Sequence, residues 1–129
     1  MFRTAVSLAI AVLVSLGCST ISRNTEPAFA ALVGTTSMTS SDWALFELSR
    51  DQRQGARYTI KSPLQGDALP YWRKIAIVPK GTNVRVLYFG EPYGIGASGT
   101  IYAFLELDLP GVGRVEASKA VTPGRTPYW

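Results

Sequence analysis

From position 42 onward, apolar and polar residues alternate with period two. That period marks strands with one face turned to a core. Trp43 and Leu45 alternate with Ala44, Phe46 and Leu48, and Tyr58 and Ile60 alternate with Arg57, Thr59 and Lys61. Residues 74–78 form a short apolar run. Val84, Val86 and Tyr88 then alternate with Arg85, Leu87 and Phe89. The clearest strand is 100–109, with Leu105, Leu107 and Leu109 on one face and Glu106 and Asp108 on the other. Residues 114–117 make a sixth strand. A helix over 42–54, capped by Ser41 or Asp42 and stopped at Gly55, is the rival reading of the first segment.

Turn chemistry separates these runs. The polar stretch 49–55 ends in Gly55 and reads as a hairpin turn, and 62–72 is a loop punctuated by Pro63, Gly66, Asp67 and Pro70. Pro79-Lys80-Gly81-Thr82 is a tight turn, in which Pro presets its φ and Gly accepts a positive one. Residues 90–99 are glycine-rich, Pro110-Gly111-Val112-Gly113 turns the chain again, and 122–129 is irregular. Short strands with frequent turn signals predict an all-β fold, a small barrel or sandwich of about six strands. No helix-period segment separates them, so a parallel βαβ sheet is not expected.

The start of the chain follows a different pattern. Arg3 precedes an uncharged, mostly apolar stretch that ends at Cys18, the only cysteine. A positive n-region, an apolar h-region and then small residues form the layout of a secretory signal. Val14-Ser15-Leu16-Gly17-Cys18 resembles a bacterial lipobox, with Ser15 and Leu16 in inverted order. The resemblance implies cleavage before Cys18 and lipidation of its thiol, palmitate included. With Ser19 next, it also implies sorting to the outer membrane, facing the periplasm. Two other readings fit the same residues: an uncleaved anchor over 4–22, and cleavage after Ala28-Phe29-Ala30. All three put the bulk of the protein outside the cytoplasm. The expected organisation is a signal peptide at 1–17, a lipidated Cys18 with a flexible tether to 41, and a small β domain over 42–129. Within the tether, 27–33 is an apolar patch suited to a docking helix or an edge strand.

The net charge is +4 and its cations are scattered, so no nucleic-acid footprint is expected. Histidine is absent, and no cysteine follows position 18. Metal sites built on His or Cys, and His-dependent triads, are thereby excluded. No cofactor is expected.

Residues 58–121 resemble a bacterial SH3-like domain. The matching stretches are Ile60-Lys61-Ser62-Pro63, the stretch Lys80-Gly81-Thr82-Asn83-Val84-Arg85-Val86-Leu87, and Gly113-Arg114-Val115-Glu116-Ala117-Ser118. Arg114 stands where the family has Trp, and the first motif lacks its Gly. The resemblance therefore implies a fold and not a ligand.

Three constellations could carry chemistry. Gly94-Ile95-Gly96-Ala97-Ser98-Gly99 has a dinucleotide-site spacing but leads into a strand, which favours a plain hairpin loop. Glu106 and Asp108 share a strand face and could act as acid and base on a cell-wall polymer, but nothing suggests a burying pocket, and the exposed face of an amphipathic strand is the favoured explanation. Tyr71, Trp72 and Tyr93 lie in or beside loops, with Arg73 and Arg85 near in sequence. Aromatics with adjacent Arg are common interface anchors, and a loop-packed core is the equally open alternative. Together these features predict a non-catalytic binding module for a partner protein or peptidoglycan. Tyr71, Trp72 and Tyr93 are expected at its centre and Arg73 and Arg85 at its rim. The alternatives are a structural subunit of an envelope or secretion complex, and a small carboxylate-dependent cell-wall hydrolase.

Overall fold

The computed structural model describes residues 20–53, 55–92 and 99–129. The protein is nearly all β. Its strands are β1 (Thr20–Ser22), β2 (Thr36–Met38), β3 (Trp43–Leu48), β4 (Tyr58–Lys61), β5 (Trp72–Val78), β6 (Asn83–Pro92), β7 (Ile101–Leu109) and β8 (Gly113–Val121). A single-turn helix, α1 (Pro27–Ala30), lies between β1 and β2, and a short 3-10 turn covers Arg50–Gln52. The six strands expected from alternation are all present, and the helical reading of 42–54 is replaced by β3 and this turn.

All eight strands belong to one sheet, ordered β1-β6-β7-β8-β4-β3-β5, with β2 also on β6. Two antiparallel groups make it up, β6-β7-β8 and β4-β3-β5. A short parallel ladder joins them, pairing Tyr58 with Ala117 and Thr59 with Ser118. Thr59 Oγ1 reinforces this seam by donating to the Ser118 carbonyl at 2.9 Å. The sheet does not close into a barrel. At the turn between β5 and β6, the Thr39 N–H donates to the Thr82 carbonyl and its carbonyl accepts from Gly81, each at 2.8 Å, and Asp42 Oδ1 accepts the Lys80 N–H at 2.7 Å. One core serves both groups: Leu45, Ile60 and Val78 share it with Val84, Val86, Phe89, Leu105, Leu107 and Ala117.

The expected tether requires correction from Thr20 onward. β1 and β2 pair with β6, and α1 docks Phe29, fully buried, in a stack on Phe89 with ring centroids 4.4 Å apart. Arg23 pairs with Glu91, and Asn24 Oδ1 accepts the Phe89 N–H at 2.7 Å. The folded unit therefore begins well before position 42. Gly90 makes this possible, because a Cβ there would overlap the Thr20 methyl. Cys18 lies outside the described residues.

A second difference concerns β6. Its register on β7 shifts between Val86 and Tyr88. Such a bulge moves the following side chains to the opposite face. Phe89 therefore joins the core, while Tyr88 stacks on Phe104 at 4.4 Å. By contrast, β7 keeps the expected alternation: Leu105, Leu107 and Leu109 are buried and Asp108 is exposed.

Candidate functional site

Trp72 opens β5 in register with Leu48. It is not a free loop residue. Its backbone exchanges two hydrogen bonds with Ala68, both 3.1 Å, and its indole N–H donates to the Gly66 carbonyl at 3.2 Å. Lys61 stands over the indole with Nζ 4.8 Å from the ring centroid. The Tyr71 ring lies 6.4 Å away and tilted by 46°. Residues 62–71 thus fold back against the start of β5. Asp67 Oδ1 accepts the Lys74 N–H at 2.7 Å, and Lys74 Nζ donates to the Pro63 carbonyl at 2.9 Å. This covers the first half of a strand that would otherwise offer bare backbone groups, a common protection for sheet edges.

The covering loop and the outside of β5 together expose several large apolar side chains. Leu64 is 95% exposed, Leu69 71%, Tyr71 51%, Ile75 43% and Ile77 52%. Five of the nine large hydrophobic residues exposed among the described residues therefore fall within positions 64–77. Beside Trp72 lies a cleft of about 290 Å³, bordered by Glu47, Arg53, Leu69 and Arg73. Arg73 reaches Glu47 at 3.5 Å, and Arg57 binds the same carboxylate at 2.7 Å. The Arg57 hydrogen bond holds the Glu47 carboxyl below its ordinary pKa. Glu47 is thus an anchored anion that orients two arginines.

The structure brings Tyr71, Trp72 and Arg73 together. Arg85 is exposed on β6, opposite Thr36 and Glu106, and does not border the Trp72 cleft. Tyr93 lies outside the described residues, as does 94–98 of the glycine-rich motif. Glu106 faces Glu116 across β7 and β8, and Asp108 faces Arg114. Among the described residues, no group of three His, Cys, Asp or Glu side chains could hold a metal. Leu64, Leu69, Ile75, Ile77 and the Lys61 cation were not singled out from the sequence. The aliphatic residues looked like ordinary loop and core positions, and no periodicity connects Lys61 to Trp72. Comparison with protein-family models, curated proteins and solved structures finds no match.

Proposed function

We propose that this chain is a non-catalytic binding module of a bacterial cell envelope, anchored through Cys18, that docks a partner protein on the surface formed by 62–72 and the outside of β5. The observation that carries this reading is the concentration of exposed aliphatic residues along positions 64–77, bordered by Lys61, Arg73 and Lys74. Large contiguous apolar surface on a small protein commonly marks an interaction site. The chemistry favours a protein over peptidoglycan. A sugar-stacking site needs an open aromatic face, whereas Trp72 has Lys61 over its ring and Tyr71 tilted beside it. Leu and Ile side chains complement apolar protein surface, and the bordering cations suit an acidic rim on the partner.

A photo-activatable residue placed at Leu64 or Ile77 in the full chain, irradiated in intact envelopes, tests the proposal. Discrete protein adducts are expected from both positions and not from Val112, which is exposed on a different turn. Equal labelling from all three positions, or adducts to glycan alone, would overturn it.

A further inference from the structure

Strand β8 places Val115, Ala117, Lys119 and Val121 on one face, since side chains two apart share a side. Ala117 belongs to the core, and Val115 and Val121 pack against it. Lys119 therefore occupies a position where the alternation calls for an apolar side chain. It is only 8% exposed. Its Nζ lies 4.9 Å from the Trp43 ring centroid and 4.4 Å from that of Tyr128. All nine carboxylate side chains of the chain fall in described residues, and none reaches Lys119. Burial alone pushes its pKa below the ordinary lysine value. A second donor nearby is also unanswered: the Trp43 indole N–H is buried without an acceptor.

Beside this cation lies a cleft of about 180 Å³, where residues 122–128 fold along the end of β8. Thr122, Arg125, Thr126, Pro127 and Tyr128 line it together with Lys119 and the end of β8. A desolvated ammonium with no counter-charge is costly to bury, and a well-placed anion offsets part of that cost. Arg125 adds a planar fork suited to a carboxylate, and the threonine hydroxyls add donors. Tyr128 and Pro127 give the same cleft an apolar wall for whatever the carboxylate is attached to.

We propose that this cleft binds a compact carboxylate, either a small free acid or the free carboxyl end of a peptide, with Lys119 as the buried charge and Arg125 at the mouth. The site is separate in its residues from the Trp72 surface and does not depend on the docking role given to that surface. Two cation–π contacts, to Trp43 and Tyr128, fix the position of the ammonium.

The test is an NMR titration of the full chain that follows the Lys119 side-chain resonances. The probes are propionate, an acetylated tripeptide with a free carboxyl end, and the same peptide amidated. Saturable shifts at Lys119 are expected with propionate or the free peptide, and none with the amide or with chloride at matched ionic strength. Propionate saturating at the lower concentration identifies a small acid, and the free peptide doing so identifies a peptide end. Arg125→Gln, at an exposed turn, should weaken binding at least about threefold, the loss of one charge-assisted contact. A Lys119 signal that does not move with either carboxylate, or that moves equally with chloride, would overturn the proposal.

Discussion

Lys61 and Lys119 each hold an ammonium over an indole, at 4.8 Å from Trp72 and 4.9 Å from Trp43. The contacts are alike and the settings are not. Lys61 sits at the border of an exposed patch, where water screens its charge and the contact is worth roughly 0.5–1 kcal/mol. Lys119 is enclosed by two rings on the core side of β8, and its charge is poorly solvated there. The same pair of residue types thus does two jobs. Near Trp72 the cation covers an aromatic face. Near Trp43 the aromatics hold a cation that lacks a partner. Burial sets the role, because the Coulomb and desolvation terms grow together as water is removed.

Removing one indole at a time separates the two settings most strongly. Trp43→Ala takes away a wall that packs on the core, and should cost about 3 kcal/mol in a denaturant melt. Trp72→Ala removes a half-buried ring and its bond to Gly66, and should cost about 1–2 kcal/mol. Equal losses would mean that the two settings do not differ as described.

The next effect is smaller and depends on pH. The unfolded chain binds the Lys119 proton more tightly than the folded one, so stability should rise with pH between the depressed native pKa and about 10.5. Lys119→Met should lack this rise. Tyr88, whose pKa is raised first by burial and then by Glu116, acts in the opposite sense in both proteins and cancels in their difference. Identical alkaline stability profiles for the two chains would refute the buried-charge description. The smallest stability effect is expected on the exposed patch. Leu64→Ser should change stability by less than about 0.5 kcal/mol while reducing partner adducts from a photo-activatable residue at Ile77.

Most of the sheet was legible, and the reasons for the misses are specific. The end of β7 from Leu105 to Leu109 alternates because one face is dry there and the other is wetter. The N-terminal strands gave no such signal. β2 exposes all three of its side chains, Thr36, Ser37 and Met38, and is held through its pairing with β6, which composition does not report. Phe29 was legible as part of an apolar patch, and its destination depended on Phe89, which the bulge in β6 turned inward. Trp72 read as a loop aromatic because the bulge between β3 and β5 interrupts the alternation that would have announced its strand. Lys119 was hidden more simply. The apolar alternation of the sixth strand stops at Ala117, because Lys119 puts a cation in the row Val115, Ala117, Lys119 and Val121.

The parallel ladder at Thr59 and Ser118 bears on how the molecule assembles. Each antiparallel group can grow from neighbouring strands, but this seam links residues 59 positions apart. Closing such a span costs on the order of 4 kcal/mol of chain entropy before any contact rewards it. Because that cost comes before the contacts reward it, the seam is expected to form after the main folding barrier. Thr59→Val, which deletes the reinforcing hydroxyl, should accordingly speed unfolding and leave the refolding rate nearly unchanged in a chevron measurement. A slowed refolding limb would mean that the two groups meet early. On the expected order, the seam opens early when the native protein unfolds, and the core shared by the two groups is exposed with it.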